Sequence, residues 1–361
     1  MSKKGFFAHI HTPNVSSYSL RFSTTFGLGI ILITCFVVLI STGILMTVIY
    51  EPDFQRAYES VWDISNVLPY GKFLRSLHYW GGNVLLIASV MHLLRILSAG
   101  AYAGSRYRNY IYGLTLFAGV FASLATGYFL PMDQVSYWAL VVVLSFFDYL
   151  PLIGNIIKKI ILGGAEIGSP MVIRLYVMHI ALLPILLMAG ISLHLWRLRK
   201  DQGLLKPLYL KNDELKNIPA RPYAASRETT VLLSAAILLV VCALIFPVTM
   251  ESQAIPLSPP NPAKAAWFFV AMQETLSYSA LWGGTVPLAA IMFLFIAFPI
   301  IAGNAHGHPA DRRKRIFFGI STALVVLYFF FTIIGMYFRG PNWMLINPLK
   351  IKKAQKIIQN F

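Results

Sequence analysis

Four of the eight histidines lie inside apolar runs, and their spacing is the first thing in the sequence that speaks of chemistry. His78 and His92 stand fourteen residues apart in R-S-L-H-Y-W-G-G-N-V-L-L-I-A-S-V-M-H-L-L-R (75–95). His179 and His194 stand fifteen apart in R-L-Y-V-M-H-I-A-L-L-P-I-L-L-M-A-G-I-S-L-H (174–194). In an α-helix fourteen residues at about 100° each return to within roughly 40° of the starting direction, so both rings leave one face about 21 Å apart. Two helices built this way could clamp two flat, metal-bearing cofactors one above the other. A single histidine in such a helix is often a packed polar residue; four at nearly equal separation argue against that. A zinc site would need further ligands beside each pair, and the sequence places none there.

The elements that carry these rings read as membrane spans. Of 361 residues, 57% are hydrophobic and 12% charged, about half the charged fraction of a soluble domain. Seven apolar runs reach the length that crosses a bilayer: 27–50, 74–98, 110–130, 172–196, 230–248, 284–303 and 316–337. The fold class expected is an all-α polytopic membrane protein, a four-helix bundle plus three further spans. The formal net charge of +16 does not imply nucleic acid, because the Lys and Arg residues sit between apolar runs. Arg106, Arg108, Arg197, Arg199, Lys200, Lys206, Lys211 and Arg312–Arg315 fall in one set of connections with the N-terminus, and Glu51, Asp53, Glu59, Asp63, Asp133, Asp148, Glu166 and Glu251 fall in the other. The positive-inside rule then places the N-terminus in the cytoplasm; the lysines of the C-terminal tail run against it. The first span exceeds a signal peptide's apolar core and no small-residue cleavage site follows it, so it is expected to be retained. Two long outer connections hold apolar pieces too short to span, at 138–147, 150–162 and 263–278, and connections of this length usually wall a site. A basic linker, 204–228, divides a four-helix unit (1–203) from a three-helix unit (229–361).

With the second and fourth spans running the same way, His78 lies level with His179 and His92 with His194, as an iron with two axial ligands in haem requires. Glycines repeat the spacing: Gly29 and Gly43 in the first span, Gly113 and Gly127 in the third. A porphyrin between four helices needs close backbone approach, which the missing Cβ allows. Arg75, Arg95, Arg174 and Arg199 flank the histidines and suit carboxylate side groups of haem; helix-end arginines also snorkel. Cys35 and Cys242 lie in apolar runs, outside any CxxC or CxxCH pattern.

These histidine and glycine pairs, together with G-Y-F-L-P-M-D-Q-V-S-Y-W at 127–138, make the chain resemble cytochrome b, the quinol-oxidising core of Rieske/cytochrome b complexes. The resemblance is strongest over 19–203. From 259 onward it is similar to the separate three-helix subunit of the photosynthetic complex, here fused. The fifteen-residue histidine spacing and T-C-F-V-V-L-I-S-T-G-I-L-M-T at 34–47 resemble the b6 branch, whose matching cysteine holds a third haem through one thioether. The resemblance implies two b haems, an outer one on His78/His179 and an inner one on His92/His194. It further implies a c-type haem on Cys35 beside Arg199, and a quinone, taken as menaquinone. It implies a Rieske-type iron–sulfur protein and a cytochrome c subunit as partners, a homodimer, and a bacterial inner membrane. Quinol would be oxidised in an outer pocket, one electron leaving to the iron–sulfur partner and the other crossing through the two haems to an inner quinone site.

One departure bears on that mechanism. The family's outer pocket carries Pro-Glu-Trp-Tyr, and the aligned residues here are Ala265-Ala266-Trp267-Phe268, so the acid is missing. The outer-pocket set is then Trp267, Phe268, Asp133 and Tyr137, with Glu274 or Asp133 as the proton acceptor. The missing acid also raises an alternative, a quinol dehydrogenase that delivers electrons to a non-Rieske partner such as a multihaem cytochrome c. A transporter with buried histidines would show interrupted helices and inverted repeats, which the sequence does not.

Overall fold

The computed structural model describes residues 14–16, 22–102, 104–150, 152–200, 217–219, 222–301 and 312–348. His9, His11, His306 and His308, most of the 204–228 linker and the lysines of the C-terminal tail lie outside the described residues. Among those described, six helices have the length and hydropathy of a membrane span. In chain order the elements are β1 (Asn14–Ser16), α1 (Leu28–Met46), α2 (Ala57–Asn66), α3 (Gly71–Ala99), α4 (Tyr107–Phe129), α5 (Gln134–Phe147), α6 (Gly154–Leu162) and α7 (Ser169–Val177). A π-helical turn (Met178–Leu182) joins α7 to α8 (Leu183–Lys200), followed by β2 (Asn217–Pro219), α9 (Tyr223–Ile245), α10 (Trp267–Tyr278), α11 (Val286–Ile301) and α12 (Arg312–Ile333). The strands β1 and β2 pair antiparallel, Val15 opposite Ile218.

Five of the seven expected spans are α1, α3, α4, α9 and α12, and the fourth is the continuous helix Ser169–Lys200. The sixth is a π turn at Leu281–Thr285 that leads into α11, whose described part ends at Ile301. The multi-pass membrane architecture and its all-helical core thus stand. The lipid-facing sides of these helices account for the many exposed Leu, Ile, Val and Phe side chains.

α1 packs along α3, α4 packs along α8, and α3 packs on α4, which closes a four-helix bundle. α9 lies against α1 and α3, while α12 lies against α3 and α10. The core is densest at one end. There α2, α5, α7 and α10 cap the bundle around Ile64, Met132, Leu140, Met171, Val172 and Phe269. The two short pieces expected in the first long connection are α5 and α6, and the piece expected in the second is α10. α5 starts where Asp133 caps it, accepting from the Ser136 N–H at 2.9 Å, the cap that satisfies an orphan donor of the first turn.

The π turn has a sequence cause and a consequence. Pro184 carries no N–H, so the α-helical bond to the Ile180 carbonyl is missing; the Leu183 N–H instead reaches the Met178 carbonyl, five residues back. A π turn inserts one residue into an α-helix. That extra residue is why fifteen residues between His179 and His194 do the work that fourteen do between His78 and His92.

Candidate functional site

The structure brings His78 of α3 and His179 of the π turn together across the bundle, edge to face. Their ring centroids are 6.0 Å apart with planes 67° apart. Each ring is held by its Nδ1. The Thr42 hydroxyl donates to the Val38 carbonyl at 2.7 Å and lies 2.9 Å from His78 Nδ1. Its proton is therefore committed, so His78 Nδ1–H donates to Thr42 Oγ1. His179 Nδ1 lies 3.0 Å from the Ser123 carbonyl and 3.3 Å from Thr126 Oγ1. A carbonyl accepts only, so His179 Nδ1 also carries the proton. In both rings Nε2 is left as the unprotonated nitrogen, the arrangement in which a second partner fixes the tautomer of a metal-binding histidine.

At the other level His92 and His194 are neighbours. His194 Nδ1 is buried without a hydrogen bond of good geometry, the Asn109 backbone being near it. All four histidines lie deep in the bundle and yet are only half-buried, so their rings border open space and not packed side chains.

The glycines divide by level. A Cβ on Gly43 would stand 3.3 Å from His78 Cε1, and one on Gly127 only 2.4 Å from His179 Cε1. At Gly113 it would stand 3.5 Å from His194 Cε1, while at Gly29 it would meet nothing within 4 Å. Glycine is thus required at Gly127, permits a close approach at Gly43 and Gly113, and borders open space at Gly29. The sequence reading missed the threonines beside them. Thr42-Gly43 and Thr126-Gly127 are the same dipeptide in the first and third spans, a signal that was available.

The arginines do not form one set. Arg75 donates to Ser65 Oγ at 3.2 Å and to the Thr249 carbonyl at 3.3 Å, tying α3 to the loops at its start. Arg174 donates to the Ile160 carbonyl and packs against Gly163. Arg95 donates to Ser98 Oγ at 3.0 Å. Arg199 also has interactions of its own in the last turn of α8.

Cys35 is a free thiol with 0% exposure. It packs with Leu85 of α3 and Leu239 of α9. A haem bonded there needs a flat space the size of a porphyrin beside the sulfur, and apolar side chains from three helices fill it. The residues around Cys35 do not fit a haem while α9 stands against α1; the anchored pair His78/His179 does fit one.

At the capped end, Trp267 Nε1 donates to Asn83 Oδ1 at 2.6 Å, and its ring stacks on Phe329 with planes 7° apart. Phe268 is buried among Phe121, Tyr128 and Phe269. Tyr137 packs on Phe54 and Trp138, and burial, with Glu166 near, pushes its phenol above the ordinary range. The two acids expected to accept a proton are both occupied. Asp133 accepts from Ser136 N–H, from Ser136 Oγ at 2.7 Å and from Glu251 N–H at 3.4 Å.

Glu274 is fully buried and accepts from Arg339 Nη2 at 2.6 Å, Tyr278 OH at 2.7 Å and Trp343 Nε1 at 2.9 Å. Burial works to raise its pKa, but the bonds from Arg339, Tyr278 and Trp343 outweigh it and hold the carboxyl below the usual range. A carboxylate so saturated is a weak base. The structure makes Glu274 a strut, and Arg339, unnoticed in the sequence, is its partner.

Comparison with known proteins agrees with this geometry. The family model described as "Cytochrome b/b6/petB" matches residues 15–202. Cytochrome b6 of Mastigocladus laminosus is 34% identical over 181 residues, covering 50% of this chain and 84% of the relative. Cytochrome b of the snake Heterodon simus is 27% identical over 292 residues, 79% of this chain and 77% of the relative. Among solved structures, a chain of a "Hyperthermophilic respiratory Complex III" superposes with TM-score 0.76 over 98% of this chain and 92% of its own, at 21% identity, a likeness of fold. The family match spans more than half of the sequence and contains all four histidines, so this chain belongs to the cytochrome b/b6 family.

Proposed function

We propose that the chain is the transmembrane quinol-oxidising subunit of a quinol:cytochrome c oxidoreductase, holding two b haems, one between His78 and His179 and one between His92 and His194. The observation that carries this is the facing pair His78/His179 with both Nδ1 atoms anchored and both Nε2 atoms free. Haem at the two levels supplies one-electron carriers stacked through the membrane. The chain does the rest. Thr42 and the Ser123 carbonyl fix the ring tautomers, and Gly43, Gly113 and Gly127 admit the backbones closely. Arg75, Arg95, Arg174 and Arg199 supply cationic ends for carboxylates.

Quinol is oxidised at the end capped by α5 and α10, walled by Trp267 and Phe268, and quinone is reduced at the other end. Protons are released on one side and taken up on the other, which builds a gradient. By the charge of the connections the capped end faces outward and the N-terminus lies in the cytoplasm of a bacterial inner membrane. Residues 1–203 form the haem unit, 204–228 the linker and 229–361 the fused three-helix unit. The partners are a Rieske-type iron–sulfur protein and a cytochrome c, with menaquinol as the reductant and a twofold dimer as the assembly.

A second electron partner is favoured by one observation: the two acids expected to accept a proton, Asp133 and Glu274, are both occupied. A multihaem cytochrome in place of the Rieske protein belongs to that reading. Purifying the complex and identifying its co-purifying subunits separates the two. A dithionite-reduced spectrum without b-haem bands overturns both.

A further inference from the structure

A small pocket opens between α5 and the stretch that leads into α10, lined by Val135, Trp138 and Val142 on one side and by Lys264, Ala265 and Gln273 on the other. Ala265, the residue before the position of the missing acid, is part of its lining. Lys264 is two residues before Ala266, the position aligned with the missing acid. Among the residues that line the pocket, Lys264 is the one with a titratable side chain. Its Nζ donates to the Met336 carbonyl at 2.7 Å, and an ammonium has three donors, so two remain for a ligand. Gln273 braces the stretch, donating to the Ala263 carbonyl at 2.6 Å and accepting from the Ala265 N–H at 3.0 Å.

We propose that Lys264 serves the outer quinol reaction in place of the absent acid: its ammonium hydrogen-bonds a ring oxygen of quinol and stabilises the negative charge left when that oxygen loses its proton. The inference rests on the quinol-oxidising reading above. Both quinol O–H bonds break in turn as the two electrons leave, and both protons pass to water on that side. Of the two electrons, one goes to the partner's outer one-electron acceptor, an iron–sulfur or c-type haem protein, and the other crosses the membrane. Lys264 keeps its own proton throughout. A preorganised cation aimed at developing charge is worth most in a site shielded from water. The other charged groups of the surrounding elements are engaged elsewhere: Asp133 caps α5, and Glu274 and Arg339 hold each other.

The sign of the pH dependence follows. The advantage that Lys264 confers is full where it is protonated and is lost as pH rises through its pKa. Burial lowers that pKa, so the loss sets in earlier than for a free lysine. The test uses the purified complex, a reduced naphthoquinone and a c-type cytochrome as acceptor, with kcat and KM followed from about pH 6 up to the ordinary lysine value of about 10.4. Lys264→Gln should lower kcat about a hundredfold at the acid end, with KM little changed, and the deficit should narrow toward the alkaline end. Lys264→Arg should keep the rate and hold it to higher pH, because guanidinium stays charged. A loss equal at every pH in Lys264→Gln, or a Lys264→Arg profile falling where the wild type falls, overturns the proposal. The second comparison stands even if Lys264→Gln fails to assemble. Absence of quinol oxidation in the wild-type complex would instead sink the underlying functional reading.

Discussion

His78 and His179 differ from packed polar residues in what their second nitrogens do. Each Nδ1 is anchored on an acceptor from a neighbouring helix, which leaves Nε2 as the unprotonated nitrogen. Thr42→Val removes the acceptor of His78 while keeping the side-chain volume. Loss of such a partner costs about 10–100-fold in metal affinity or activity, so the haem at that level should become extractable under conditions that leave the other in place, as optical spectra would record. The glycines give a sharper contrast. Gly127→Ala puts a methyl 2.4 Å from His179 Cε1, whereas Gly29→Ala meets nothing within 4 Å. The first should abolish binding at the His78/His179 level and the second should leave both haems, with haem content per chain as the measurement. The four histidines and their pairing were legible in the sequence because helical periodicity converts spacing into direction. The anchors were not, because a threonine in an apolar helix usually just satisfies its own i−4 carbonyl, and here it does that and more.

At the level of elements, the π turn and the buried ion pair carry the consequences. The extra residue between His179 and His194 was visible as a number. Its cause, Pro184 and the bond from Leu183 to Met178, needed coordinates, since proline alone predicts a kink as readily as a π turn. Glu274 was read, beside Asp133, as a candidate proton acceptor because its partner lies sixty-five residues on, beyond any local pattern. Buried and matched by Arg339, it contributes to joining α10 to the end of α12. Arg339→Ala leaves a buried carboxylate unpaired and should cost about 3–5 kcal/mol, while Glu274→Gln keeps the shape and one acceptor oxygen but turns an NH2 donor toward partners that are all donors, so it too should destabilise. Thermal unfolding of the purified chain ranks the two. With its folded pKa held low, Glu274 contributes stability that is present above its unfolded pKa and lost as pH falls through the folded value; the difference between wild type and Glu274→Gln should therefore shrink in acid. The packing of α9 on α1 bears on Cys35. Acid–acetone extraction followed by a pyridine haemochrome assay should leave no haem on the chain. Haem that stays, and is lost in Cys35→Ala, would show that Leu239 and α9 stand off Cys35 in the assembled complex.

For the whole molecule, the division of labour is between a ladder and its cap. Four helices hold two levels of paired histidines. Short helices at one end shelter Trp267, Phe268 and the Lys264 pocket. The spans were legible from hydropathy, since each expected apolar run falls on a helix. The capping helices were legible only as apolar pieces, because what orders them is contact between segments far apart in sequence, such as Tyr50 OH donating to the Leu130 carbonyl at 2.9 Å. The claim on which everything else depends is that each level binds one haem through two histidines. Haem b per chain in the purified protein tests it most directly: two in the wild type, with one lost in His179→Ala and one lost in His194→Ala, each removing a different spectral component. A wild type without b haem, or single variants that keep both, would contradict it.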